Sequence, residues 1–182
     1  MDESVRAAMQ KWPDVPDLYG WLSLDRRGRW HLRDALIEHA GLIAFIGRNY
    51  QADEDGRWFF QNGPQRVFVT LAYTPWIARH AHGHFTTHTG TSFEPNALYL
   101  DDEGHLLLTG SPGLALLDDR DLLELSDAFT DAAGDPLDAT ADDAMDRIGG
   151  LRLGAQWLAL ERVTRADVPA RFGFVACPAA PD

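Results

Sequence analysis

The segment Leu24-Asp25-Arg26-Arg27-Gly28-Arg29-Trp30 has a pattern that recurs along the chain and indicates its fold. The further copies are Ala52-Asp53-Glu54-Asp55-Gly56-Arg57-Trp58, the weaker Leu100-Asp101-Asp102-Glu103-Gly104-His105-Leu106 and the degenerate Asp131-Ala132-Ala133-Gly134. Asp at the start of a type I turn accepts hydrogen bonds from the backbone ahead of it, and Gly at the end adopts a positive φ. Apolar residues flank the copies, so each predicts a tight hairpin. Their unequal spacing is not that of a solenoid or propeller.

These hairpins predict an α+β fold made mainly of antiparallel strands with two or three short helices. Hydrophobic residues make up 45% of the 182 positions, which is enough to bury a core. We expect a single domain over residues 1–177 with a helical insertion at about 118–150, and a flexible tail over 178–182. Apolar periodicity predicts helices near residues 39–50 and 119–129, and capping spacing predicts one near 140–148. Residues 3–11 can form a further short helix that ends before Trp12-Pro13. Alternation and turn signals predict strands at 19–24, 29–33, 66–73, 97–100, 105–109, 114–117, 156–163 and 171–176, and a strand pair within 76–90 around Gly83.

Charge and cysteine content exclude several classes of function. The net charge of −12 argues against binding to nucleic acid or to an anionic membrane surface, since both need a basic footprint. Cys177 is the one cysteine, so no disulfide forms within the chain, and we expect its side chain to be at least half-buried at the end of the last strand. A polar N-terminus and the lack of a long apolar run predict a cytoplasmic protein.

Four of the seven histidines lie close together, at His80, His82, His84 and His88. If this segment were one strand, they would share a face, and neutral imidazoles on one face can bind Zn, Fe or Ni. Glu94 can complete a site of two histidines and one carboxylate. The alternative is a polar edge hairpin that turns at Gly83, holds no cofactor and points its histidines to water.

A second candidate site surrounds the Asn62-Gly63 turn. Gln61, Asn62, Gln65 and Arg66 are polar groups amid aromatic residues, as in sites for small amphipathic ligands. The alternative is a hairpin tip whose polar groups bond to one another. The pairs Arg29/Trp30 and Arg57/Trp58 have two interpretations as well, hairpin stabilisation or a binding surface.

The segment Trp58-Phe59-Phe60-Gln61-Asn62-Gly63-Pro64-Gln65-Arg66-Val67 resembles a family of small bacterial proteins that form a domain of unknown function. The resemblance spans nearly the whole chain; its other pieces include Lys11-Trp12-Pro13, Tyr19-Gly20-Trp21-Leu22, Thr74-Pro75-Trp76, Thr87-His88-Thr89-Gly90 and Ala170-Arg171-Phe172-Gly173-Phe174. It implies a bacterial, cytosolic protein. It implies no activity, substrate or catalytic residue.

Three hypotheses for function follow. The sequence has no Gly-x-Ser-x-Gly elbow, phosphate loop or dinucleotide fingerprint, which favours a non-catalytic binding or regulatory module with a protein or small-molecule partner. The histidine cluster favours a divalent-metal-binding protein or metalloenzyme. The acidic composition favours a decoy that binds a basic protein.

Overall fold

A computed structural model of the chain describes residues 1–12, 15–137 and 143–180. The backbone divides into two compact units, which are Met1–Pro75 with Pro169–Asp182, and Trp76–Val168. The predicted single domain over 1–177 stays a prediction. The predicted helix start at Thr140 and residues 181–182 of the predicted tail lie outside the described residues.

Both units contain strands and short helices, which confirms the predicted α+β class. The helices are α1 (Glu3–Lys11), α2 (Ala40–Arg48), α3 (Ala144–Arg147) and α4 (Val168–Phe172), with 3₁₀ turns at Asp119–Asp121, Ser126–Ala128 and Arg165–Asp167. The strands of the first unit are β1 (Leu18–Leu24), β2 (Trp30–Leu32), β3 (Ala35–Leu36), β4 (Tyr50–Ala52), β5 (Trp58–Asn62) and β6 (Gln65–Leu71). Those of the second are β7 (Trp76–Ala81), β8 (His84–Thr87), β9 (Ser92–Asp101), β10 (Leu106–Ser111), β11 (Gly113–Leu117), β12 (Phe129–Thr130), β13 (Gly150–Leu153) and β14 (Gln156–Val163).

The first unit is one six-stranded sheet in the order β3-β2-β1-β6-β5-β4. β1 and β6 pair in parallel, and the other neighbours are antiparallel. One face buries Leu22, Leu24, Trp30 and Val69, and helix α2 adds Phe45, whose ring meets that of Phe60 edge-on at 5.4 Å. The sheet is therefore mixed, although most of its strand pairs are antiparallel, as the sequence predicted.

The predicted Asp-x-x-Gly turns share one geometry in all four copies. In each, the first Asp oxygen accepts the backbone N–H groups two and four residues ahead, at 2.8–3.1 Å. The Gly in each copy has a φ between 74° and 86°, which only glycine adopts without strain. Burial raises the pKa of Asp25, but hydrogen bonds from the Arg29 backbone and from the side chains of His31 and Arg29 outweigh it and bring that pKa to about 2. The Asp25 carboxylate therefore acts as an ionised acceptor that closes its hairpin.

In the second unit, five strands close into a ring. The order runs β10-β11-β7-β8-β9, and β9 pairs again with β10. Closure requires β9 to bend past β10, and Gly110 permits this because a Cβ there would lie 2.2 Å from the carbonyl oxygen of Glu94. β14 joins the outer edge of β9 in parallel and carries β13 and β12. Leu106, Leu107 and Leu108 are all buried, so β10 is covered on both faces.

The segment after β11 differs from its prediction. Leu122, Leu125 and Phe129 have helical spacing, yet the predicted helix over 119–129 consists of two 3₁₀ turns followed by β12. The reason is that Asp118 and Asp121 bind groups that a continuous helix would not position. The backbone N–H of Asp118 donates to the Ala78 carbonyl at 3.0 Å.

Asp121 fastens this segment to the β7–β8 hairpin. Its carboxylate accepts hydrogen bonds from the side chain of Arg79 at 2.9 and 3.3 Å and from the backbone N–H of His80 at 2.8 Å. The bond to Asp121 raises the pKa of Arg79. Burial raises the pKa of Asp118, but hydrogen bonds from Arg120 outweigh it and lower the pKa below its ordinary value. The segment is thus held in place by buried carboxylates.

Two expectations for the C-terminal part are wrong. The predicted strand at 171–176 does not form. Helix α4 ends at Phe172 and has Pro169 in its first turn, where a proline needs no N–H partner, and Val175 forms an isolated bridge with Arg57. Cys177 is exposed rather than half-buried. No helix in the described ranges is both long and apolar enough to cross a membrane.

The turn geometry predicts unequal effects of two substitutions in the second unit. Asp101→Ala removes the two backbone hydrogen bonds of its turn and the contact with the His105 ring at 3.0 Å from a residue that is 3% exposed. We expect it to lower the free energy of unfolding by about 3 kcal/mol. We expect a loss of about 1 kcal/mol for Asp131→Ala, because the residue in the position of His105 is there the acidic Asp135, which is not a cationic partner for the carboxylate. Urea unfolding of the full chain measures both. Equal losses would contradict the account.

The contacts of Asp121 predict that Asp121→Ala lowers the free energy of unfolding by about 3 kcal/mol, because the backbone of His80 and the side chain of Arg79 lose a charged acceptor. Amide hydrogen exchange at His80 should accelerate. The matched control is Asp119→Ala, at an exposed neighbour, with an expected loss below about 1 kcal/mol. If the two variants were equally stable, Asp121 would not fasten the segment.

Candidate functional site

An open cavity of about 830 Å³ lies in the second unit, between the β7–β8 hairpin, β9, the 118–128 segment and the β13–β14 hairpin. We call it the His80 cavity. Its walls combine aromatic, acidic and basic side chains, including His80, His84, Phe85, Phe93, Glu94, Glu124, Asp127, Arg152 and Gln156. Its size and its mixture of apolar and polar groups are typical of small-molecule sites.

The β7–β8 hairpin turns at His82-Gly83, as the alternative interpretation of the histidine cluster predicted. Both residues have positive φ, 53° and 79°, in a two-residue loop between Ala81 and His84, which is the type I′ geometry. His80 pairs with Phe85 and Ala81 with His84, so His80 and His84 lie on opposite faces of the hairpin. The condition for four histidines on one face is therefore not met.

The backbone N–H of His80 donates a hydrogen bond to Asp121, whereas its ring nitrogen Nδ1 has no hydrogen-bond partner among the described residues. The side chain is 8% exposed, and its ring lies 4.7 Å from that of Phe85. None of the described residues hydrogen-bonds to Nδ1. The nearest carboxylate oxygen, Oε1 of Glu124, is 3.4 Å from Nδ1 but lacks hydrogen-bond geometry. That oxygen instead accepts the backbone N–H of His82 at 3.0 Å.

The other members of the predicted metal set lie apart from this pair. His88 accepts a hydrogen bond at Nδ1 from the Ile77 backbone at 3.3 Å, and its ring is 5.6 Å from that of Trp76. Glu94 lines the His80 cavity from the bend of β9. Across residues 1–12, 15–137 and 143–180, no three His, Cys, Asp or Glu side chains are grouped as a metal site. Metal binding by His80, His82, His84, His88 and Glu94 stays a prediction.

The predicted ligand residues around Asn62-Gly63 lie in the first unit and are tied within the fold. Gln61 is buried and donates from Nε2 to the Gly63 carbonyl at 2.9 Å, and Gln65 donates to the Pro16 carbonyl at 3.0 Å. Arg66 forms a bidentate pair with Asp17 at 2.9 and 2.6 Å and lines an open cavity of about 580 Å³. Asn62 is exposed. A ligand role for these four residues stays a prediction.

The two Arg–Trp pairs belong to the turns. Arg29 binds Asp25 at 2.7 Å beside the buried Trp30, and Arg57 binds Asp53 at 2.7 Å beside the half-buried Trp58. Hydrogen bonding to Asp53 raises the pKa of Arg57. Both arginines therefore contribute to hairpin stability.

Sequence reasoning missed Glu124, Asp127, Arg152 and Gln156. Glu124 lies 42 residues beyond His82, whose backbone it binds, and no local spacing connects them. The spacing of residues 119–129 gives no local signal for this contact. The contact with β7 became visible only in the folded chain.

The chain matches a family model over residues 1–179, DUF2944, described as "Protein of unknown function (DUF2946)". Among solved structures it is similar to a DUF1285 family protein from Silicibacter pomeroyi DSS-3, at 16% identity over 90% of this chain and 97% of that one, with a TM-score of 0.54. A DUF1285 family protein from Shewanella baltica OS155 has 15% identity over 58% of this chain and 89% of that one, with a TM-score of 0.44.

No curated protein matches the chain. The first of the two structural similarities concerns the fold alone, because its sequence identity is so low. The family model, in contrast, covers almost every residue and agrees with the resemblance seen around Trp58. The chain belongs to this family of proteins of unknown function.

Proposed function

We propose that the protein is a non-catalytic binding module whose ligand is a small molecule held in the His80 cavity. The observation that carries the proposal is Nδ1 of His80, a buried polar atom on the cavity wall to which no described residue hydrogen-bonds. A buried polar group without a partner costs about 1–3 kcal/mol, so proteins rarely keep one unless something else satisfies it. A bound ligand would supply the missing partner.

The surroundings of His80 support this interpretation. Phe85 and Phe93 offer ring surface, and Glu124, Asp127 and Arg152 offer charged groups at the opening. The cavity is built on the closed ring of strands, and the buried Asp121 fixes the position of His80. A site on rigid elements suits specific recognition better than one on loops alone. With the family resemblance, the proposal is of a bacterial, cytoplasmic protein.

A fragment screen by ligand-observed NMR tests the proposal. We expect wild-type protein to bind a subset of fragments, and Ala128→Trp, which narrows the cavity at its rim, to lose most of them. The matched control is Ala7→Trp, on the exposed side of α1 in the first unit, which should keep them. Circular dichroism confirms that both variants fold. A wild-type protein that binds no fragment, or equal binding by both variants, would contradict the proposal.

A divalent-metal site is the second candidate, favoured by the contact between Nδ1 of His80 and Oε1 of Glu124. Two ligands about 2.1 Å from a tetrahedral ion lie about 3.4 Å apart, and these two atoms are 3.4 Å apart. Two protein ligands are fewer than structural or catalytic zinc sites use, so water or the exposed Glu94 would have to complete the shell.

Mass spectrometry of untagged protein tests the metal candidate. It predicts about one equivalent of Zn, Fe or Ni. Loss of the metal in His82→Ala/His84→Ala would support the set read from the sequence, and loss in Glu124→Gln would support the His80–Glu124 pair. A protein that is purified without metal and takes up none on titration with Zn²⁺ contradicts both versions.

A further inference from the structure

We propose that the ligand of the His80 cavity is an organic cation, a primary amine with an aromatic or apolar tail, whose ammonium group binds between Nδ1 of His80 and Oε1 of Glu124. The inference rests on the proposed function and adds the chemical class of the ligand. It starts from the two atoms that face each other without a hydrogen bond at 3.4 Å.

Both atoms can act as hydrogen-bond acceptors. The Glu124 carboxylate offers only lone pairs, and the His80 imidazole offers a lone pair at Nδ1 when its proton is on Nε2. Two adjacent acceptors require a donor between them. An ammonium group has three N–H donors and a positive charge, so it can bind both atoms at once. A hydroxyl has a single O–H donor and can donate to just one of them.

The charge around this point favours a cation over an anion. Three carboxylates line the cavity, those of Glu94, Glu124 and Asp127, against the guanidinium of Arg152. The guanidinium of Arg152 donates a hydrogen bond to the Gly134 carbonyl at 3.0 Å, so part of its donor capacity is used within the fold. The net charge of −12 of the chain attracts cations to its surface and repels anions.

The apolar character of the ligand's tail is inferred from the aromatic residues that line the cavity. Phe85 and Phe93 are 6% and 2% exposed and form apolar surface next to His80. The ring of Phe85 is 4.7 Å from that of His80, so a ligand whose ammonium group reaches Nδ1 places its next atoms against aromatic carbon. An aromatic or aliphatic chain fits there, and a cation next to ring faces gains a further attraction.

Calorimetric titration with matched probes tests the inference. The probes are 2-phenylethylamine, the neutral 2-phenylethanol and the anionic phenylacetate. We expect the wild type to bind the amine about tenfold more tightly than the alcohol, because charge-assisted hydrogen bonds are roughly twice as strong as neutral ones. Phenylacetate should bind more weakly than either. The preference for the amine should decrease at high salt.

Glu124→Gln is the variant that isolates the charge. The side chain is about half exposed, and glutamine keeps an oxygen for the backbone N–H of His82, so the fold should survive. We expect the preference for the amine over the alcohol to fall below about threefold, since a neutral acceptor makes the weaker bond. The matched control is Glu38→Gln, an exposed acid of the first unit, which should keep the tenfold preference.

The outcomes separate the inference from the proposed function. Equal binding of amine and alcohol, or a preference that survives Glu124→Gln, overturns the inference and leaves the binding module in place. If neutral fragments bind in the NMR screen but 2-phenylethylamine does not bind, the inference is likewise overturned and the binding module stays in place. If neither the amine nor any fragment binds, both fail. Displacement of the amine by equimolar Zn²⁺ at the same site would assign the pair to a metal and overturn the amine.

Discussion

The fold depends on one recurring interaction, an Asp carboxylate oxygen that accepts two backbone N–H groups of its own turn. It closes the hairpins that begin at Asp25, Asp53, Asp101 and Asp131, and so fixes strand register in both units. In three copies, the residue four positions ahead adds an Arg or His side chain that binds the second oxygen. Carboxylate acceptors of this kind are worth more than neutral turn residues, because they satisfy several donors that would otherwise need water.

In the second unit, the same use of carboxylates reaches beyond the turns. Asp121 joins the segment after β11 to the backbone of His80, and Glu124 joins it to the backbone of His82. This arrangement orders the hairpin and brings a carboxylate beside a buried imidazole. Stability and the proposed site therefore share their residues. The first unit differs, since its polar groups around Asn62 bond mainly to their own fold.

Local features of the sequence were sufficient for much of the fold. The Asp-x-x-Gly turns, the hairpin between Asn62 and Gln65 and helix α2 depend on residues a few positions apart, and sequence spacing reports such contacts directly. The helix prediction for 119–129 is wrong because the apolar spacing of the segment suits a helix, whereas the Asp121 carboxylate binds β7, about 40 residues earlier. The sequence did not predict the parallel pairing of β1 with β6 or the approach of Glu124 to His80, for the same reason. Long-range contacts leave no trace in local periodicity.

We propose that the His80 cavity holds a ligand. The most direct measurement is a high-resolution crystal structure of the protein purified from the organism that makes it, without added ligands. We expect non-protein density against Phe85 and Phe93, with a nitrogen within hydrogen-bond distance of both Nδ1 of His80 and Oε1 of Glu124. A cavity that contains only ordered water bridging those two atoms would contradict it, since water would then satisfy the buried nitrogen.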